Sequence, residues 1–399
     1  MKAVIVGGGI GGLAAALALL KVGTDVTVLE RDEAPREAGA GVQISPNGMR
    51  VLDWLEVGNA VRQVAFAPEA IEMRIGRSGR RIFRLPIGTV AEGAGSDVGA
   101  SYVQIHRADL ADILRETLEA RSPGALKMGR PIIGYRLAGQ GAEALERDGG
   151  AVGGDVVIGA DGIGSAICAQ MHPDAKAQFS GNAAWRAVIP IERFGTDVPP
   201  PTSCIWVGAG RHAVTTRVRG GKEINLVGAV EVADWTGQGW GDPGQRDEAI
   251  ADFAGWHPTI EKGFAEAPNL IRWGLFDRDP LPAWSDGAVV LLGDAAHPMQ
   301  PSMAQGAVQA LEDAACLALM LKEKPDVPEA LNRYYQARID RVSRIAQLSA
   351  RNANLFHRAG GVSGVLTYGP AWLAGHLFPA VLRRRSEWIY QHDPTSPLT

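Results

Sequence analysis

The opening thirty-three residues, MKAVIVGGGIGGLAAALALLKVGTDVTVLERDE, constrain the fold more than any other part of the chain. Lys2 to Val6 reads as a short apolar strand, residues 11–22 as a helix with Leu13, Leu17 and Leu20 on one face, and Asp25 to Leu29 as a second strand ended by Glu30. Between the first strand and the helix lies Gly7-Gly8-Gly9-Ile10-Gly11-Gly12. Gly7 permits the tight turn, Gly9 lets the backbone approach a pyrophosphate, and Gly12 lets the helix lie close to the sheet. The helix N-terminus then offers free N–H groups and a partial positive charge to an anion. Glu30, eighteen residues after Gly12, is spaced to accept hydrogen bonds from an adenosine ribose. An isolated GxGxxG says little. Set between a strand and a helix, and followed by an acid that closes the second strand, it specifies an α/β dinucleotide-binding unit. It does not by itself separate NAD from FAD.

Two later stretches bear on that choice. GADGIGS at 159–165 is a second glycine run after a strand. LLGDAAHPMQPSMAQGAVQALEDAACLALML at 291–321 is an apolar strand ending in Gly293-Asp294, a loop in which Pro298 and Pro301 forbid a helix, and a long alanine-rich helix from about Gln305-Gly306-Ala307. A bare loop and a helix N-terminus beside an aspartate imply a polar group held there. The segment EAGAGVQISPNGMRVLDWL does not read as the third strand of an NAD-type half. It reads as a glycine-rich loop leading into a helix from about Pro46.

The bulk properties exclude several classes. At 399 residues with 46% apolar content, the chain has core enough for two domains or one large one with an insertion. A net charge of −4 argues against a nucleic-acid surface. Cys168, Cys204 and Cys316 are far apart and form no CxxC pair, so neither a disulfide framework nor a metal site is expected, and a reducing cytoplasm fits. No secretory leader pattern precedes the first strand. Residues 359–382 carry no Asp, Glu, Lys or Arg, but Pro370, Pro379 and several glycines break a spanning helix. That segment is expected to pack on the body, without membrane contact.

Taken together, these blocks resemble the single-component FAD monooxygenases that hydroxylate phenols. GGGIGG…LER at 7–31, HRADL at 106–110, DVVIGADGIGSAI at 155–167 and VVLLGDAAHPMQPSMAQGAVQALEDA at 289–314 match that family's motifs in order. GAGVQISPN, HPM…MAQGA and the ending EWIYQHD are most similar to the salicylate, 3-hydroxybenzoate and 6-hydroxynicotinate hydroxylases. The resemblance implies one FAD, with NADH or NADPH and O2 as co-substrates, a small aromatic substrate, and hydroxylation through a flavin C4a-hydroperoxide. It implies cofactor contacts from Gly7, Gly9, Gly12, Glu30, Arg31, Val42, Arg107 and Asp161, with Asp294 near the ribityl chain, Pro298 beside the isoalloxazine, and Gly306 and Ala307 aiming N–H groups at the ring's N1–C2=O edge. A monomer or homodimer is expected. The scaffold also admits an FAD-dependent reductase or epoxidase of an apolar substrate, or a non-catalytic FAD- or NAD-binding regulator.

The expected fold is a Rossmann-like FAD-binding domain of the glutathione-reductase type, in the arrangement of p-hydroxybenzoate hydroxylase, with an inserted β-sheet substrate domain and C-terminal helices. The FAD domain is read as 1–70, 100–180 and 270–357, the β-rich substrate domain as 71–99 and 181–269, and the remainder as a C-terminal segment, 358–399. A phenol hydroxylase needs a base with a pKa near neutrality, which favours histidine. His212 opens the strand HAVTTRVR, sharing a face with Val214, Thr216 and Val218, and the resemblance puts the phenol-contacting histidine on that strand. Gln300 stands where the 3-hydroxybenzoate enzymes carry a glutamine that meets the phenol oxygen. Gln43, Thr216 and Trp206 are further substrate-pocket candidates. Glu312 and Asp313 read as solvated or capping carboxylates. No buried arginine stands out as a carboxylate clamp.

Overall fold

The computed structural model describes residues 1–35, 40–87, 102–237, 242–323, 326–358, 368–369 and 386–396. Most of the uncharged stretch 359–382 therefore lies outside the described residues. No described helix is long and apolar enough to cross a membrane.

The opening strand becomes the centre of a six-stranded sheet. Lys2–Val6 pairs in parallel with Asp25–Leu29 on one side and Val156–Gly159 on the other; Val289–Leu291 extends the parallel set, and Ser285–Asp286 and Leu126–Lys127 close the edges. The central strands are apolar through their middles because both sheet faces are covered: Ala3, Val4, Ile5, Val156, Val157 and Ile158 are fully buried. Helix Ile10–Lys21 lies on the sheet and packs against helix Gly306–Glu323, where small residues let the backbones approach.

A second sheet of eight strands runs in the order Asp242–Pro243, Ile271–Asp277, Gln178–Pro190, Glu223–Glu231, Arg211–Val218, Ser203–Gly208, Ala70–Ile75 and Arg81–Pro86. Its rear face is sealed by helices Arg246–Asp252 and Pro258–Ala265 over Trp185, Trp206, Phe253 and Phe264. The large sheet draws in strand residues from beyond the expected β-rich segments. Residues 178–180 and 271–277, expected in the FAD domain, belong to the large sheet. The Ile271–Asp277 strand pairs with a segment some ninety residues earlier, and local alternation carries no trace of such a partner. A two-stranded ribbon, Gly41–Ile44 with Val103–His106, lies between the sheets.

The long helix Val327–Phe356 starts at Asp326, whose side chain accepts from the Glu329 N–H. Its buried face is Leu331, Tyr334, Arg338, Val342, Ile345 and Ser349, an apolar stripe interrupted by an arginine. Arg338 meets Asp313 through Nε at 2.8 Å and Glu312 through a terminal nitrogen at 2.5 Å. Arg341 adds bonds to Glu312 and to the Trp388 and Ile389 carbonyls, and Arg50 donates to the Tyr390 and His392 carbonyls. The tail is thus stapled to the core by arginines. Glu312 and Asp313 are wholly buried, not the solvated or capping carboxylates their sequence suggested. Burial pushes both carboxyls upward, but Arg338 beside both, Arg341 beside Glu312 and His297 beside Asp313 outweigh it and hold them below the usual carboxylate range.

Removing Arg338 leaves two carboxylates buried and undercompensated. Arg338→Ala is expected to lose about 3–5 kcal/mol in chemical denaturation. Arg136→Ala, which breaks the exposed pair with Glu143, should change stability by no more than about 1 kcal/mol.

Candidate active site

Four neighbouring parallel strands end at the same edge of the six-stranded sheet, and each delivers one predicted cofactor residue: Glu30 after Asp25–Leu29, Gly7 after Lys2–Val6, Asp161 after Val156–Gly159, and Asp294 after Val289–Leu291. Ligands of open α/β sheets bind at this carboxyl edge. Gly7 turns with φ +107°, a conformation costly for any other residue. A Cβ at Gly12 would stand 1.9 Å from the Gly7 carbonyl oxygen, so helix and strand can approach only with glycine there. A Cβ at Gly9 would meet nothing within 4 Å. Nothing in the protein's own packing requires that glycine, and the open space in front of it is where a ligand would lie. Helix Ile10–Lys21 has no side-chain cap at Gly9, which leaves its first N–H groups for an anion.

The rest of the cradle fits a dinucleotide equally well. Glu30 accepts from the Gly8 N–H at 2.6 Å and the Asp32 N–H at 3.0 Å, so it shapes the turn as well as facing outward. Asp161 accepts from the Ala166 N–H through one oxygen, while the other is buried without a partner. Burial raises its carboxyl above the ordinary range despite the Ser165 and backbone donors. Asp294 is partly exposed in front of Gly306, with Gly306 and Ala307 opening their helix beside it and Pro298 buried in the loop between. Arg107 is exposed at the head of helix Arg107–Arg121, its N–H bound to the Ala40 carbonyl; Val42 is half-buried on the ribbon, and Arg31 is exposed just past Glu30. Behind the loop, Asp313 accepts from His297 Nε2 at 2.5 Å and from the Gly293 N–H at 3.0 Å, so the buried ion network fixes the turn that carries Asp294.

Beneath the large sheet is a trough. Ile205, Val214, Val227 and Arg186 are cross-strand neighbours on four adjacent strands, and all four are only partly covered although they sit mid-sheet. The rows on either side are buried: Val207, His212, Ala229 and Ala184 along one bank, Ser203, Thr216 and Asn225 along the other. The banks are about 13 Å apart along the strands and the row about 14 Å long across them, room for a single aromatic ring with its substituents. The ribbon forms one wall. Gln43 accepts from Tyr102 and Ser203 hydroxyls, and the Gly41 N–H donates to Asn225, whose amide in turn donates to Thr216. The far end of the long helix, Phe356 and His357, closes the other.

Two of the predicted pocket residues border this trough on the same strand: His212 and Thr216. Gln43 reaches it through Ser203. Gln300 donates to Asp277 through Nε2 at 3.1 Å. Since a carboxylate only accepts, this fixes the amide orientation and leaves the Gln300 carbonyl as an acceptor. Trp206 is a correction. It pairs with Ala213, not His212, and so projects to the rear face, where it is 1% exposed and donates to Thr215. It is core, not pocket wall. Two residues were not anticipated. Arg186 lies in the trough row, stacked 4.3 Å from Trp273, with Nε buried and unpartnered and no carboxylate bound to it among the described residues. Burial, reinforced by nearby Arg107, pushes its guanidinium down to about 9. His357 bonds His212 at 2.7 Å. Period-two alternation groups Arg186 with one strand face, but only the register shows which face is open.

Gly9→Ala tests the cradle apart from folding. The backbone there is extended, at φ −77°, and open, so apo stability should change by less than about 0.5 kcal/mol. Affinity measured by FAD titration should fall on the order of tenfold or more, because the added methyl occupies the closest approach to the pyrophosphate. Unchanged affinity would place the dinucleotide elsewhere.

Known proteins match the chain over nearly its whole length. Residues 1–349 match the FAD binding domain family. 3-Hydroxybenzoate 6-hydroxylase 1 of Aquipseudomonas alcaligenes is 34% identical over 97% of this chain and 96% of its own length. Among solved structures, HpxO of Klebsiella pneumoniae, complexed with FAD and uric acid, superposes with a TM-score of 0.82 at 25% identity over 100% of this chain and 98% of that one. A salicylate hydroxylase substrate complex superposes with a TM-score of 0.80 at 26% identity over 99% and 96%. The chain therefore belongs to the FAD binding domain family, and within it to the FAD-dependent aromatic monooxygenases.

Proposed function

We propose that the enzyme hydroxylates a phenolic or hydroxy-heteroaromatic acid, using NADH or NADPH and O2, with the ring in the trough and the carboxylate on Arg186. The observation that carries the substrate class is Arg186 itself. A guanidinium with a buried Nε is normally paired; here that Nε has no partner and the group faces the trough without an acid among the described residues, so an anionic ligand would supply one. A carboxylate there would also push its guanidinium back up, opposing the effects of burial and Arg107.

The residues divide the work. Gly7, Gly9, Gly12, Glu30, Asp161, Arg107 and Asp294 hold the dinucleotide, and the N-terminus of helix Gly306–Glu323 favours negative charge beside it by roughly 1 kcal/mol. A flavin held there would supply the redox and oxygen-activating chemistry, with NADH or NADPH as the reductant. The chain's own contribution is to place the phenol and charge it. Arg186 fixes the acid end, His212 accepts the phenol O–H and takes its proton, raising electron density on the ring, and Gln300, held by Asp277, has a second Nε2 hydrogen to donate to the phenolate. Apolar Ile205, Val214 and Val227 exclude water from the face between them. Three buried free thiols support a reducing cytoplasm, where we assign the enzyme as a monomer or homodimer.

A screen of hydroxybenzoates and hydroxypyridine carboxylates for stimulated NAD(P)H oxidation with identified product tests the class. Arg186→Gln should raise KM for the acid by roughly 10- to 150-fold, the worth of one charged hydrogen bond, and leave a neutral phenol of the same ring nearly unaffected. Equal loss on both, or loss on neither, would remove Arg186 from substrate recognition.

A further inference from the structure

We propose that His212, His357 and Glu231 form a proton relay that carries the phenolic proton from the trough to the surface, with His357 as its positioning and relay residue. The inference rests on the reading of His212 as the base. His212 Nδ1 lies 2.7 Å from His357 Nε2, and His357 Nδ1 lies 2.9 Å from Glu231 Oε1. The two histidines are buried; the Glu231 side chain is 60% exposed and lines a surface depression with Ser180, Asn182 and Asn354. The chain of hydrogen bonds therefore runs from the trough bank to water in three side chains.

The carboxylate sets every tautomer along it. Glu231 only accepts, so His357 Nδ1 carries a hydrogen and His357 Nε2 is a lone pair. His212 Nδ1 must then donate, which leaves the lone pair on His212 Nε2. That nitrogen has no hydrogen-bond partner among the described residues. A proton arriving from the substrate hydroxyl at His212 Nε2 releases the Nδ1 proton to His357 Nε2, and the His357 Nδ1 proton passes to Glu231 and on to water. One proton leaves the trough, no net charge stays on either ring, and the reverse sequence returns a proton to the departing product and restores both tautomers.

The surroundings favour passing the proton on over storing it. His212 packs against Phe356 with ring centroids 5.2 Å apart, beneath the sheet. Burial and then the neighbouring His357 push its imidazolium down to about 3. Burial also lowers His357, with Arg211 adding to that and Glu231 opposing it. Neither ring is charged near neutrality, so a base in this position works by handing its proton outward.

The test uses the FAD-loaded enzyme with its best aromatic substrate. His357→Gln keeps a hydrogen-bonding side chain but breaks proton passage. It should cut coupled product formation, by less than the ~10²–10⁴-fold expected for loss of the base itself, with FAD content unchanged. The kcat–pH profile should now climb with pH as hydroxide replaces the relay, the solvent deuterium isotope effect should grow, and added imidazole should restore part of the rate. Surface Glu231→Gln, which cannot disturb the core, should reproduce the pH shift in weaker form. If His212→Ala abolishes product formation but both relay variants keep the parent rate, pH profile and isotope effect, the relay is refuted and the base stands. If His212→Ala itself keeps the parent rate and profile, the base reading fails first. Should His357→Gln lose FAD, an unaltered pH profile in Glu231→Gln overturns the relay.

Discussion

Much of this structure hangs on two carboxylates that water never reaches. Glu312 and Asp313, adjacent on helix Gly306–Glu323, would each cost several kcal/mol to bury alone. They are tolerated because Arg338, Arg341, Asn47, His297 and the Gly293 N–H converge on them. The partners arrive from four segments: the long helix, the helix after the glycine-rich loop, the Pro298 loop, and the end of the Val289–Leu291 strand. Such a network contributes less to net stability than to uniqueness of arrangement. Any shift of one segment strands a charge, so the turn bearing Asp294 and the loop bearing Gln300 have one low-energy position relative to the cradle.

The trough is built by a different rule. A sheet sealed on its rear face by Trp185, Trp206, Phe253 and Phe264 turns its other face toward the dinucleotide cradle. One cross-strand row stays uncovered because the ribbon meets the Ser203–Asn225 bank and the end of the long helix meets the His212 bank, with neither reaching the middle. Polar function then falls at the ends of an apolar row: Arg186 at one end, His212 on a bank and Gln300 on the loop. Low polarity between them strengthens each electrostatic contact with a bound ring.

The cradle was legible from sequence because its parts are contiguous. Strand, glycines, helix and acid fall within thirty residues, and each residue type has a local reason. The blocks around Asp161 and Asp294 were legible for the same reason. What was not legible needed register or distance. Glu312 and Asp313 look solvated until Arg338, twenty-five residues on and on another helix, is seen to face them. Trp206 seemed pocket-facing because strand alternation gives parity within a strand but not between strands; the pairing with Ala213 decides it. Arg186 escaped notice for the same reason, as its openness is a property of four registered strands. His357, the first residue past a thirty-residue helix, has no motif at all.

The central claim is that the trough binds a phenolic acid and removes its proton. The most direct measurement is the absorbance of a phenolic acid whose hydroxyl titrates well above neutrality, bound at pH 7 to the oxidised enzyme and to His212→Ala. The account predicts the phenolate spectrum on the parent enzyme and the phenol spectrum on the variant, with the ligand held by both. A bound ligand that stays protonated on the parent enzyme, or a phenolate that persists without His212, would contradict it.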